Sequence, residues 1–404
     1  MAFQQGLSGL NAAAKNLEVI GNNVANASTV GFKASHAVFA DIYAHSFAGG
    51  GAAEAGIGVA TVAIQGEFGQ GNVSTTNNPL DMAINGIGFF VLSDNGAISY
   101  SRNGQFHLDE NGYLVNATNS MVTGYGVDDT GAIVASSPGP IQISTEAVAP
   151  AATTTSTVGV NLDARNKIIT APFDPTDTAT YNSSSSMTVY DSLGNPHTLT
   201  SFYTKTAANA WDVNAIFDGD ATAPFSVGSL TFDENGKLPS PFAPFNISVT
   251  LANGATTPFA FTMDMGETTQ YGTSFAVNKQ VQDGATAGAL AGYGVNDDGT
   301  LIGRYSNGQT RTLGQLVFAK FANNEGLQPL GNNGYAETTA SGQPLVGTPG
   351  SGSFGTLQSG AVEESNVDLT EQLVNMITAQ RVYQANAQTI KTMDQVMQTL
   401  VNLR

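Results

Sequence analysis

Apolar residues recur at alternating spacings of four and three at both ends of this 404-residue chain, and the pattern between the ends is different. Phe3, Leu7, Leu10, Ala14, Leu17, Gly21 and Val24 form the first stripe. Leu369, Leu373, Met376, Gln380, Tyr383, Ala387, Ile390, Asp394, Met397 and Val401 form the second. Heptad spacing belongs to helices that bury a seam against other helices, so it predicts one long helix at each terminus. Ser365 or Asn366 is placed to cap the second helix, and Asp368 and Glu371 suit its first turn.

These stripes admit two readings. Each helix either folds back on the other as a hairpin covering the rest of the chain, or presents its seam to other chains. Ile377, Val382, Met393, Val396, Leu400 and Leu403 widen the second stripe beyond what one partner helix covers, which favours assembly. A first helix of about 20 residues containing Gly6 and Gly9 is marginal alone in water and is expected to order on packing against other chains. The expected assembly residues are Phe3, Leu7, Leu10, Leu17, Val24, Leu369, Leu373, Met376, Tyr383, Ile390, Met397 and Leu400.

Between the ends the period drops to two and turn dipeptides accumulate. Asn95-Gly96, Asn103-Gly104 and Asn111-Gly112 stand eight residues apart, beside short runs such as Phe89-Phe90-Val91-Leu92. More follow at Asn235-Gly236, Asn253-Gly254, Asp298-Gly299 and Asn307-Gly308. Asn-Gly favours the positive φ angles of a type I′ turn, so the middle is read as antiparallel β hairpins. Two echoes divide it. Gly124-Tyr125-Gly126-Val127-Asp128-Asp129 returns as Gly292-Tyr293-Gly294-Val295-Asn296-Asp297, and a Thr/Ser/Ala/Pro-rich segment at 147–157 follows the first copy. Phe106 to Gly112 is echoed by Leu230 to Gly236.

The fold class expected is mainly β, with two antiparallel β domains, the second inserted into the first, and terminal α-helices forming a coiled-coil-like assembly core. The expected partition is 1–30 with 362–404 as the helical core and 31–70 as a connecting region with short strands. Residues 71–144 with 285–361 form the first β domain, and 145–284 the inserted outer one.

Composition removes several function classes. The net charge of −18 and the absence of any Lys/Arg cluster disfavour nucleic acid as a partner. Only 11% of residues are charged, against about 25% in ordinary soluble proteins. Without cysteine there are no disulfides, thiolate zinc sites or cysteine nucleophiles. The N-terminus lacks the basic and apolar regions of a secretory leader, and no window is apolar enough for a membrane-spanning helix. No catalytic, cofactor-binding or metal site is expected. His36, His45, His107 and His197 lack ligand spacing. The Asp-Glu-Asn-Gly turns and Asp218-Gly219-Asp220 lack the full spacing of a calcium loop and read as plain turns. Gly49-Gly50-Gly51 and Gly86-Ile87-Gly88 lack the rest of a phosphate-binding loop, and there is no Gly-x-Ser-x-Gly elbow.

The ends resemble the shared termini of the flagellar rod, hook and hook-associated axial family. The N-terminal match runs from Leu10-Asn11-Ala12 through Gly21-Asn22-Asn23-Val24-Ala25-Asn26 to Thr29 and Gly31-Phe32-Lys33. The C-terminal match runs from Ser365-Asn366-Val367-Asp368-Leu369 through Met376-Ile377, Gln380-Arg381 and Tyr383 to Ala387, ending at Leu400 to Arg404. Gly88-Phe89-Phe90, Tyr100 to Phe106 and Thr123-Gly124-Tyr125 resemble the first β domain of rod and hook members. The length and the insert resemble the hook members.

The resemblance implies a tube of many copies with the terminal helices inside and the insert outside. It implies distal rod, hook cap and hook–filament junction proteins as further partners, and leaderless export by the flagellar type III apparatus. The alternatives are a distal rod or other hook-associated axial protein, or a monomeric extracellular β-rich adhesin. A β-solenoid polysaccharide enzyme would need a long repeat that is missing.

Overall fold

A computed structural model describes residues 2–42, 56, 58–128 and 131–402. His45, Gly49-Gly50-Gly51, Asp129, Leu403 and Arg404 lie outside the described residues, as does the side chain of Leu400. The chain is mainly β with one long helix near each end, α1 (Ala2–Ala25) and α2 (Leu369–Asn402). It divides into two compact units. The first comprises Met1–Ser144, Tyr293–Gly303 and Arg311–Arg404; the second comprises Thr145–Gly292 and Arg304–Thr310.

In the first unit an antiparallel sheet runs through Met121–Tyr125, Phe89–Asp94, Ala97–Ser101, Gly334–Ala336 and Gln328–Gly331, in that order. Strand Phe89–Asp94 is buried along most of its length because both of its faces are covered. Phe89 packs on one side with Tyr100, Val317, Ala319 and Phe321. Phe90 meets Phe106 and Phe318 edge-on at ring separations of 5.1 and 5.5 Å. This explains the unbroken apolar run Phe89 to Leu92, where a one-faced strand would alternate.

Three two-stranded pairs lie where the N- and C-terminal parts of the chain run side by side or turn back. Ser35–Ile42 pairs with Gly58–Gly66, Val73–Thr75 with Ala361–Glu363, and Met82–Asn85 with Thr356–Ser359.

The Asn-Gly dipeptides fall into different geometries. Asn95 and Gly96, with φ of +49° and +94°, close the Asp94–Ala97 hairpin as a type I′ turn. The echoed Asp-Glu-Asn-Gly sequences make one shared turn. Asp109 Oδ1 accepts from the backbone N–H of Asn111 and Tyr113, and Asp233 Oδ1 does the same for Asn235 and Lys237. Asn103-Gly104 is not a hairpin tip. Gly104 is a close-approach glycine whose missing side chain leaves room for the Met82 carbonyl.

The second unit has two sheets around Trp211 and Tyr203, both fully buried. One is a meander of Ser183–Tyr190, Pro196–Ala207, Ala210–Phe217 and Phe225–Thr231. The other centres on Thr155–Asp163, flanked on one side by Ala276–Gln282 and on the other by Phe259–Asp264 and Thr269–Tyr271. The pairings of 155–157 with 262–264 and of 161–163 with 269–271 are parallel, a departure from the all-antiparallel expectation. Its cause is that the chain turns at Met265–Thr268 and carries on along the same edge of the central strand. The incoming and outgoing segments are themselves paired, Val148 with Gly288 and Ala151 with Ala285. Asp283 pins this pairing, accepting from both the backbone N–H and the hydroxyl of Thr154 and of Thr155.

Candidate assembly surface and its anchor

The cap of α2 is Asp368, whose Oδ1 accepts from the N–H groups of Thr370 and Glu371 at 2.8 and 3.2 Å. Ser365 and Asn366, the residues expected to cap, are used otherwise. Ser365 Oγ accepts from Val367 N–H at 3.3 Å. Asn366 Oδ1 accepts from Ala34 N–H at 2.7 Å, and its amide donates to the Glu67 carbonyl at 2.7 Å.

The two helices pack antiparallel within one chain. Gly6 lies against Ile390, Gly9 against Asn386, and Asn23 Nδ2 donates to Gln372 Oε1 at 3.3 Å. Apart from Ile390, these contacts are between small and polar residues, and Ala13 and Ala379 of the two helices are buried. Small residues let helix backbones approach closely, so Gly6 and Gly9 act as contact positions despite their low helix propensity. The first helix therefore has a partner in its own chain, contrary to the expectation that it would find one only in other chains. A groove of about 760 Å³ runs beside this seam, lined by Ala12, Val19 and Ile20 of α1, Phe39 and Val59 of the two-stranded ribbon Ser35–Ile42 with Gly58–Gly66, and Ala379 and Val382 of α2.

The heptad stripes mostly face away from the seam. Phe3 is 53% exposed, Leu373 49% and Met397 62%; Leu7, Leu369 and Tyr383 are also exposed. Leu10, Leu17, Val24 and Met376 are half-buried. Ile390 is half-buried as well, with its side chain against Gly6 in the seam. The flanking Val374, Ile377, Val382 and Val396 are exposed as well.

A second feature was invisible to periodicity. Glu363 is wholly buried between two cations. Its Oε1 accepts from Lys33 Nζ at 2.6 Å and from Gly71 N–H at 2.9 Å, while Oε2 accepts from Arg102 Nη1 at 3.2 Å. Lys33 also donates to the Gly69 carbonyl and Arg102 to the Gly86 carbonyl, each at 2.8 Å, and the Arg102 guanidinium lies 5.3 Å from the centre of the Phe89 ring. Burial pulls both cations' pKa values down while Glu363 pulls them up, and burial prevails. Asn23 adds a strand-like link to the ribbon, donating to the Ser35 carbonyl at 2.7 Å and accepting from Ser35 N–H at 3.0 Å. The cluster thus joins the segment leaving α1, the sheet that follows Tyr100, and the segment approaching α2. The one available signal was charge scarcity: in a chain with 14 Lys and Arg, Lys33 and Arg102 both fall inside otherwise apolar or Asn/Gly-rich motifs.

Comparison with known proteins places these parts. Residues 3–33 match the family described as flagella basal body rod protein, and 358–403 the flagellar basal body rod FlgEFG protein C-terminal family. Residues 83–162 match the flagellar hook protein FlgE/F/G D1 domain, and 161–285 the flagellar basal body protein FlaE D2 domain. The chain is 46% identical to the flagellar hook protein FlgE of Salmonella typhimurium and 45% identical to that of Escherichia coli K12, with 100% of both chains covered in each case. It is 31% identical to that of Borreliella burgdorferi over 100% of this chain and 99% of that one. The crystal structure of Helicobacter pylori flagellar hook protein FlgE2 shares the fold, with a TM-score of 0.55 at 15% identity, covering 72% of this chain and 100% of that one. Its terminal helices, its two β units and this full-length identity together make the chain a member of the flagellar hook protein FlgE family, a structural subunit of the bacterial flagellar hook.

Proposed function

We propose that copies of this chain assemble into the hook tube through the exposed stripes on α1 and α2, with Leu7, Leu373, Tyr383 and Met397 at the centre of the contact. One observation carries this reading: small residues pair the helices inside a chain, while large apolar side chains such as Phe3, Leu7, Leu373, Tyr383 and Met397 stay exposed outside that seam. Exposed apolar surface on this scale marks an interaction site. Ile390 serves the intramolecular seam as well as the stripe. Residues 1–30 with 362–404 act as the assembly core and 31–70 as a connector. Residues 71–144 with 285–361 form the first β domain and 145–284 the outer domain, and the Lys33–Glu363–Arg102 cluster passes load from the core to the first of these. The work of the chain is mechanical rather than catalytic, outside the cell, without nucleic acid or membrane insertion. Its other partners are the distal rod, hook cap and hook–filament junction proteins, and the flagellar type III apparatus exports it.

The test compares Leu373→Asp with Gln398→Asp, an exposed position on the same helix. Burying a leucine side chain contributes about 1.5–3 kcal/mol, and a charge forced into a dry contact costs several kcal/mol more. Because every subunit repeats the defect, Leu373→Asp is expected to abolish polymer in sedimentation and motility in cells, leaving monomer melting unchanged. Equal polymerisation of both variants would reject the stripe as the assembly surface.

A further inference from the structure

Within the second unit, His197 is buried with both ring nitrogens on carboxylates. Nδ1 lies 2.6 Å from Asp218 Oδ2 and Nε2 lies 3.1 Å from Asp191 Oδ2. The ring stacks on Phe217 at 5.0 Å. A carboxylate offers only acceptors, so both contacts are hydrogen bonds only when the ring is the doubly protonated imidazolium. Asp191 is held ionised: it is fully buried, yet it also accepts from the N–H groups of Leu193 and Asn195 and from the side-chain amides of Asn195 and Asn253. Burial works against the charge on His197, but the bonds to Asp218 and Asp191 outweigh it and raise its pKa above the ordinary value.

We propose that His197 is a proton-controlled latch in the outer unit. Charged, it ties the 191–195 turn to the 218–220 turn. Neutral, it leaves the 218–220 turn held by the Thr198 backbone, whose N–H donates to Asp218 Oδ1 and whose carbonyl accepts from Asp218 N–H at 2.8 Å each, and the loosened turn widens the cleft beside it. A neutral ring keeps one N–H, so one carboxylate must lose its donor. Asp218 is the one that leaves, because its side chain is 48% exposed and water can take the place of the ring. The titratable groups facing His197 are Asp191 from the preceding turn and Asp218 from the turn after Ala210–Phe217, with Asp220 lining the same cleft. The 250–255 loop and strand Phe259–Asp264 contribute Asn253 and Phe259 there, neither of which titrates. The cleft, about 620 Å³, is walled by Phe217, Phe225, Val249 and Leu251 and bordered by Asp218 and Asn253, so loosening the turn exposes apolar surface. The link is complete below the ordinary histidine pKa and is lost as pH rises through the raised one.

Hydrogen exchange followed by mass spectrometry on the full-length monomer at pH 5.5 and pH 9, corrected for intrinsic rates, tests the latch. Peptides spanning 216–224 are expected to lose at least tenfold protection at pH 9, while those around the Asn235-Gly236 turn do not. His197→Gln should show the low protection at both pH values. Asp218→Asn, which keeps the side-chain shape, should move the nuclear magnetic resonance titration midpoint of His197 down toward the ordinary value. Equal wild-type protection at the two pH values, the same pH response in His197→Gln, or an unmoved midpoint in Asp218→Asn would overturn the proposal.

Discussion

Gly6 of α1 faces Ile390 of α2 so closely that a methyl group at position 6 would stand 3.2 Å from Ile390 Cγ1. The helix pair therefore has no room at this level for a larger residue. Gly6→Leu is expected to destabilise the pair by about 1–3 kcal/mol through overpacking. Helical circular dichroism should melt earlier while the melting of the β units is kept. An unchanged helical transition would mean that the seam is loose.

Glu363 is the shared carboxylate of two buried cations, and removing one partner of a buried ionic cluster costs about 3–5 kcal/mol. Glu363→Gln is expected to lower the melting temperature of the first unit by that equivalent. Glu364→Gln, at the exposed neighbouring position, should leave it within about 0.5 kcal/mol. Calorimetry of both variants decides the matter, and matched melting temperatures would remove the cluster from its anchoring role.

Burial pushes the hydroxyl of Tyr203 up to about 12, and that of Tyr335 likewise. The unfolded chain ionises these tyrosines near pH 10 while the folded chain keeps them neutral. Stability from this source is present below pH 10 and is lost as pH climbs from 10 toward 12. The loss should approach about 2–3 kcal/mol for Tyr203, since each pKa unit corresponds to about 1.4 kcal/mol. Denaturant melts at pH 9 and 11.5 should differ by less in Tyr203→Phe than in wild type. An equal difference would place the alkaline sensitivity elsewhere.

The pairing of Val148 with Gly288 brings the two ends of the insert to neighbouring strand positions. Replacing 149–287 by a two- or three-residue Gly-Ser linker is expected to leave the first unit soluble and cooperatively folded, because the span to be bridged is that of one strand pair, about 5 Å. Asp283→Ala, which strips four hydrogen bonds from the paired segments, should destabilise the second unit by about 1–3 kcal/mol and leave the first unchanged. An insoluble excision product would indicate one continuous core.

Local patterns determined the parts of this protein that depend on neighbours in sequence. The heptad spacing identified both helices, and period-two runs broken by Asn-Gly identified the β middle, because side-chain direction follows the backbone period. The echo of Asp109–Gly112 in Asp233–Gly236 became one shared turn, since an aspartate reaches the backbone N–H groups two and four residues on without outside help.

What tertiary structure decided was pairing at a distance. Periodicity marks which face of α2 is apolar, but the contact partners of Gly6 and Gly9 depend on how α1 docks, and small residues carry no apolar signal of their own. Asn103-Gly104 has the composition of a hairpin tip, yet its glycine is required by the approach of Met82, a chain segment some 20 residues away. Lys33, Arg102 and Glu363 stand in separate motifs far apart in sequence, and only folding removes their water together. Taken from solvent one at a time, each would carry a desolvation penalty of several kcal/mol that only the others offset.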